Sequence, residues 1–597
     1  MGPLLAASLL ASAALVQGPH HGHEPQLGSV HFETSCNEEA QTRFHRALGW
    51  LHSFEYEQAG RTFAEAAEAD PRCAIAHWGV AMSLYHPLWA PPSAAELATG
   101  RQALATARQT ASGSERERAY IEALETFYAQ SDSLDHRTRM LAYSDAMERL
   151  HRLYPQDHEA AVFYALSLIA AGTTDDDPAF ERENRAGAIL NAVLAEAPGH
   201  PGVAHYLIHS FDYPPLAELA LQAARSYANL APASPHAQHM PSHIFVRLGL
   251  WDEAIRSNLA SHAAAIDLAR AQGLPDSSSE RLHAMDYLAY GYLQTGQDGE
   301  AARVLADLNG IRRADPPSFA VAYAATAIPA RLALERRRWE EAASLTLADN
   351  VLRLAPLDTF GWAEAQIHFA RAIGSARLGR IGAAQTEIAR LGQIEQSLVI
   401  PAGAYDWRTQ VAIERQIAEA WLAQAEGRSD EAVRILGAAA ELDERTEKHP
   451  VTPGAILPAR EQLGELLLLL ERPAEALTDF EASLRQAAPV AAYGNLAGST
   501  AIAKYRPASP YPFVVRDIAL WASEEVRAEV VQEVIDGAAG VLRVRTDLFD
   551  EFHKDGRVSY AFRLVFQSKE KTLTDDEVNA VMELVSAAVA AQGWEVR

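Results

Sequence analysis

Pro201-Gly-Val-Ala-His205-Tyr-Leu-Ile-His209-Ser-Phe-Asp212 and, 34 residues further on, Pro235-His236-Ala-Gln-His239-Met-Pro-Ser-His243-Ile-Phe-Val-Arg-Leu-Gly249 are two openings of one recurring unit. Counted from Pro201, Ala220, Ala224, Tyr227 and Pro232 fall at places 20, 24, 27 and 32. Counted from Pro235, Gly249 falls at place 15 and Ala254 at 20; counted from Leu282, Gly296 and Ala301 do the same. Small residues where two helices cross, with a proline closing the second, describe a helix–turn–helix unit of about 34 residues. Such units bury their apolar faces only by stacking on one another.

The pattern runs outward in both directions. Upstream, Ala59, Phe63, Ala66 and Pro71 keep the spacing, as do Ala186, Leu190, Val193 and Pro198. Downstream, Trp339-Glu-Glu-Ala342, Gly379-Arg-Ile-Gly-Ala383, Gly427-Arg-Ser-Asp-Glu-Ala432 and Pro473-Ala-Glu-Ala476 each read as an interhelix turn entering a second helix. These small residues and prolines resemble the tetratricopeptide family, which implies an α-solenoid over residues 36–490. The resemblance also implies that places 5 and 9 of each unit look into a concave groove. The segments His205-Tyr-Leu-Ile-His-Ser-Phe-Asp, His239-Met-Pro-Ser-His-Ile-Phe-Val-Arg-Leu-Gly and Leu282-His-Ala-Met-Asp-Tyr are similar to a group of exported bacterial tetratricopeptide proteins, a likeness that bears on fold and export only.

Histidines gather at the groove places. His205 and His209 hold places 5 and 9 of one unit; His236, His239 and His243 hold 2, 5 and 9 of the next; His283, Asp286 and Tyr290 hold those places in the third. Residues four apart share a helix face, and packed helices lie about 8–10 Å apart. The pairs His205/His209 and His239/His243 are therefore expected to share one zinc or other divalent transition metal, with Asp286 adding a carboxylate. Tyr206 stands where a zincin carries its glutamate base, so the metalloprotease motif is not matched. Two other uses compete: a polar groove of hydrogen-bonded rings, and a clamp for a peptide carboxylate or other anion. His77, Trp78 and His86 read as a packed aromatic helix rather than groove lining, and the acidic stretch Thr173 to Pro178 as a helix cap rather than a lid.

At 597 residues the chain is too long for one core. Its net charge of −26 argues against the bulk of it binding nucleic acid, which needs a basic footprint. Residues 1–18 are apolar and small, lack a basic start, and read as a secretory signal; nothing else is long and apolar enough to span a membrane. Residues 19–35, with His20, His21 and His23, read as a flexible tail. Cys36 and Cys73 either form a disulfide in an oxidising compartment or are two buried thiols.

Residues 491–507 lose the helical period and read as a linker. From 508 to 597 the elements follow the order strand, helix, strand, strand, helix, strand, a ferredoxin-like α+β plait closing a mostly α chain. Tyr511-Pro-Phe-Val-Val-Arg516-Asp-Ile-Ala, Leu548-Phe-Asp-Glu-Phe552, Ser559-Tyr-Ala-Phe-Arg563-Leu-Val-Phe-Gln and Lys571-Thr-Leu-Thr-Asp-Asp-Glu-Val-Asn579 resemble the ferredoxin-fold anticodon-binding domain that ends the β subunit of bacterial phenylalanyl-tRNA synthetase. The resemblance implies tRNA contact and not aminoacylation, since no synthetase active site is recognisable upstream. Arg516, Arg545 and Arg563 are the candidates to reach RNA phosphates from the sheet, although Arg516 with Asp517 reads rather as holding the fold together. Three readings follow: a scaffold binding a protein, peptide or metal in its groove, a metal-dependent enzyme, and a tRNA-binding protein. The absence of a recognised catalytic motif favours the scaffold.

Overall fold

The computed structural model describes residues 26–487 and 511–597, apart from loop positions 89–90, 111–112, 173–176, 178, 272, 274–277, 315–316, 347–353, 355–358, 401–404, 512, 555 and 569–570. The chain divides into two compact units, Met1–Tyr505 and Arg506–Arg597. The expected signal at 1–18 and linker at 491–507 lie outside the described residues.

The first unit is a stack of helical hairpins. Glu38–His52 pairs with Tyr56–Ala69, Gly361–Arg377 with Ile381–Ser397, Trp407–Ala425 with Ser429–Glu444, and Ala459–Leu469 with Pro473–Ala487. The counted alanines are buried where the helices cross, Ala59, Ala66, Ala254, Ala301, Ala342 and Ala432 among them. Contact there is close enough to require glycine in places: a Cβ on Gly187 would stand 2.1 Å from the ring of Phe211.

One hydrogen bond recurs in the hairpin turns. The place-15 glycines Gly249, Gly296, Gly379 and Gly427 have φ of 66°, 71°, 72° and 81°. The next amide then reaches back five residues to the first helix: Leu250 to Phe245, Gln297 to Tyr292, Arg380 to Ser375, Arg428 to Ala423. This left-handed cap satisfies carbonyls that a helix end leaves unpaired. Phe54, Arg337 and Glu471 take the same conformation without being glycine, and Glu55, Arg338 and Arg472 make the same bond.

Residues 26–35 are not the flexible tail expected. Phe32 is buried against Phe44, Trp78 and Tyr120, and Gln41 Nε2 donates to its carbonyl at 2.8 Å. Leu27, Val30 and Phe32 give the segment an apolar side to bury. Cys36 and Cys73 are joined by a disulfide beside it. Trp78 is core, as the packed-helix reading has it, and Asp177 accepts from Glu181 N to cap the helix that follows.

Residues 445–458, between the last two hairpins, run across the inner face formed by the first helices of earlier repeats. Arg331 donates to Ala455 O at 2.7 Å and Gly454 O at 3.0 Å, Tyr323 donates to Gly454 O, and Arg247 pairs with Glu447 at 2.8 Å. His449 stacks on Phe319 with centroids 4.1 Å apart. This strap fills part of the groove that the repeat pattern led one to expect open.

The second unit has strands β1 (Val514–Ser523), β2 (Arg543–Lys554), β3 (Arg557–Phe566) and β4 (Glu595–Val596) in the sheet order β2-β3-β1-β4, the ferredoxin-like arrangement. Helices Ala528–Ala539 and Asp575–Ala591 cover one face, burying Ile518, Leu520, Phe562 and Leu564 against Val531, Ile535, Val578 and Val585.

Candidate metal centre

Helix Pro201–Phe211 begins on a proline, whose missing N–H is harmless in a first turn, and carries His205 and His209 one turn apart. In the next repeat Ser234 caps a short helix, its hydroxyl accepting from Ala237 N at 3.1 Å. Pro241 breaks that helix after His239, so His236 and His239 lie on Pro235–His239 and His243 on Pro241–Arg247. His283 and Asp286 lie on Ser279–Gln294.

The histidines form two groups of three, not the single shared site expected. His205, His209 and His236 converge in one; His239, His243 and His283 in the other; within each, ligand atoms lie within 4.8 Å of one another. Both obey one rule: places 5 and 9 of a repeat are joined by place 2 of the repeat that follows. The stagger between neighbouring hairpins explains it, since the start of each first helix lies beside the preceding helix's middle. Asp286 takes no part. It is buried with Oδ1 unpartnered among the described residues, and burial, opposed by Arg331, pushes its carboxyl up to about 7.

In the first group His205 Nε2 stands 3.0 Å from His209 Nε2 and 3.1 Å from His236 Nε2. Three nitrogens bound tetrahedrally at about 2.0–2.1 Å to one ion would stand about 3.3 Å apart, so these two separations need only slight spreading. His205 Nδ1 donates to His52 O at 2.6 Å, which leaves its Nε2 lone pair facing the group. In the second group His239 and His243 Nε2 are 3.0 Å apart. His239 Nδ1 donates to Asn258 Oδ1 at 2.7 Å, with Asn258 held in that orientation by its own bond to Ala254 O. His243 Nδ1 donates to Asp212 Oδ2 at 2.9 Å, and the Tyr287 hydroxyl reaches its Nε2 at 3.3 Å. Second partners on the far nitrogen are what orient metal-binding imidazoles.

Burial, then the neighbouring imidazoles, hold His205, His209 and His239 well below the ordinary histidine range, and burial takes His283 down to about 3 despite Glu280. These rings are neutral at physiological pH, the form that binds metal. Against its own burial, Asp212 is held well below the carboxylate range by Arg247, Lys448 and His243.

Both groups face one cavity of about 290 Å³, lined by His209, His236, His243 and His283 with Asp212, Glu280 and Lys448. The strap forms its cover through Glu447, Lys448, Pro450 and Val451. A third cluster, His52, Glu159 and His200, is a hydrogen-bonded chain: both Nε2 atoms are spent on Glu159, at 2.8 and 3.0 Å. It supports the first group by holding His52, whose carbonyl orients His205. The sequence reading found the six histidines but missed Asn258, Asp212 and the strap; the place-2 histidines were the signal for the division into two.

In the second unit Arg516 faces the helices, not the open sheet, and bonds Asn579 and Asp575. Its side of β1 is the one that packs against Asp575–Ala591. Asp517 is paired instead with Arg563, by two bonds of 2.8 Å across β1 and β3. Arg545 bonds Asp547 at 2.8 Å. Each of the three arginines already has a carboxylate.

Residues 509–597 match the model of the ferredoxin-fold anticodon binding domain. The phenylalanine–tRNA ligase β subunit of Geobacillus kaustophilus is 43% identical over 93 residues, 15% of this chain and 12% of that protein. The chloroplastic/mitochondrial phenylalanine–tRNA ligase of Arabidopsis thaliana is 39% identical over 84 residues, 14% of this chain and 20% of that one. The chain thus spans at most a fifth of the length of these relatives. Among solved structures, the human IFIT1 dimer with m7Gppp-AAAA gives a TM-score of 0.33 at 13% identity, covering 76% of this chain and 97% of that one. Yeast Tom70 gives 0.26 at 13%, covering 77% and 88%.

Proposed function

We propose that the solenoid is a transition-metal protein whose two three-histidine centres serve a small molecule in the cavity between them. The observation that carries this is the pair of convergent imidazole sets, with the far nitrogens of His205, His239 and His243 tied to fixed acceptors and both sets opening on one cavity. Three protein ligands leave a fourth position for water or substrate, the arrangement of catalytic rather than structural sites. The ion would supply Lewis acidity or an activated water there. The chain's own residues set the rings, exclude bulk water through the strap, and place Lys448 and Glu280 as charged groups at the wall. Zinc and other divalent transition ions suit such ligands.

Metal analysis of the full chain, purified without chelator, is expected to find up to about two such ions per molecule. His205→Ala and His239→Ala should each remove one centre. No stoichiometric metal at any pH above about 7, or metal indifferent to both substitutions, overturns the reading. A bound peptide is less well supported, because the strap occupies the inner face along Tyr323 and Arg331. Protein partners would use the rest of the array.

The domain match supports a second reading, contact between residues 509–597 and tRNA. More acidic than basic residues lie there, so binding should be weak and fall steeply with salt. A gel shift of tRNA by the full chain at low salt is the expected result, and no shift at any salt overturns it. The apolar leader and the disulfide support export, whereas tRNA is cytoplasmic, so this domain acts on tRNA only in molecules that stay inside. Peptide coverage over 484–510 from the native source tests whether both units travel together.

A further inference from the structure

On the other side of the strap lies a second cavity, of about 300 Å³, that the metal reading does not use. Tyr323, Phe369, Tyr405 and Trp407 line it, from three successive first helices and the turn before the last of them. Trp407 is held in place by stacking on Trp362 with centroids 4.1 Å apart, and Tyr405 meets it edge-on at 5.0 Å. The Tyr405 and Tyr323 hydroxyls are turned out of the way, donating to the strap carbonyls Glu447 O and Gly454 O. Ring surface of these residues then lines the cavity beside polar side chains, Gln366, Gln410, Glu414 and His449 among them.

One carboxyl group at this cavity has an oxygen without a hydrogen-bond partner among the described residues. Asp443 accepts from Ala459 N, Glu444 pairs with Arg460, and Glu447 pairs with Arg247. Lys448 donates to Thr452 O at 2.8 Å. Glu414, on the Trp407–Ala425 helix, has a buried Oε2 with no hydrogen-bond partner among the described residues. An unsatisfied buried carboxylate is costly, and such a group in a native fold calls for a ligand or a proton. Ring faces are negative at their centres and attract weakly hydrated cations.

We propose that this cavity binds a small methylated ammonium ion, its methyl groups against Tyr323, Phe369, Tyr405 and Trp407 and its charge met by Glu414. The volume suits a choline-sized molecule with water to spare. Burial pushes the Glu414 carboxyl up to about 8, so it holds a proton near pH 7 until the cation arrives. Binding therefore releases that proton; Lys448, which burial brings down to about 8, also lines the cavity, and the Glu414→Gln variant separates its proton from that of Glu414.

Titration calorimetry on the full chain tests this with choline and with its uncharged isostere, 3,3-dimethylbutan-1-ol. Choline is expected to bind about tenfold or more tightly than the isostere. Its heat at pH 7 should vary with the ionisation enthalpy of the buffer. Glu414→Gln should remove both the preference and the buffer dependence while leaving the isostere unaffected, and Trp407→Leu should weaken both ligands. No binding of choline at millimolar concentration by the unaltered chain, or equal binding of the two, overturns the proposal. The comparison of ligands on the unaltered chain stands even if a variant misfolds.

Discussion

His239 and Glu414 show opposite ways of burying a titratable group. His239 stays neutral, with Nδ1 satisfied by Asn258 and Nε2 turned to the other imidazoles. Glu414 is neutral only by keeping a proton, and that has a measurable consequence. Its folded pKa, about 8, lies above the ordinary carboxyl value. The folded state thus holds a proton that the unfolded chain has lost, and stability declines as pH rises from the ordinary carboxyl range to about 8. Glu414→Gln should melt progressively higher than the parent chain as pH is raised from 6 to 9, with little difference at 5; a constant offset across that range refutes the assignment. The groove histidines were legible because their places repeat. Asn258 and Glu414 were not, since one polar side chain on an amphipathic helix looks like any other until its neighbours are known.

At the scale of the element, the hairpin turn is the part most fully written in the sequence. Glycine at place 15 marks a left-handed residue, and the structure puts one there in each counted case. The same turn forms at Glu471, with φ of 59°, where the side chain is exposed and an L residue is strained. Gly296→Ala should lower stability by about 1–2 kcal/mol and Glu471→Gly should raise it by a comparable or smaller amount. Urea unfolding followed by circular dichroism checks both, and a shift in the same direction for the two would contradict the cap. Sequence reading failed at the strap. Arg445-Thr-Glu-Lys-His-Pro-Val-Thr-Pro-Gly has the composition of a surface loop, and nothing local announces that its partners are Arg247, Tyr323 and Arg331. The face that Arg516 joins was hidden for a related reason: alternation along a strand identifies two faces but not which one the helices cover.

For the molecule as a whole, the two units were separable by eye because the period changes from helical to alternating near residue 511. What the two histidine groups need is supplied by remote parts of the first unit: a carbonyl from His52, a carboxylate from Asp212, an amide from Asn258 and a cover from residues 447–451. A row of repeats is ordinarily divisible, each module answering only to its neighbours. Here Glu447 grips Arg247 across 200 positions and Ala455 grips Arg331 across 124. The array is clasped like a bracelet. Modules between the two ends of the clasp cannot be excised singly, and a nascent chain emerging from its N-terminus must wait for its last hairpins before the earlier ones are finally secured.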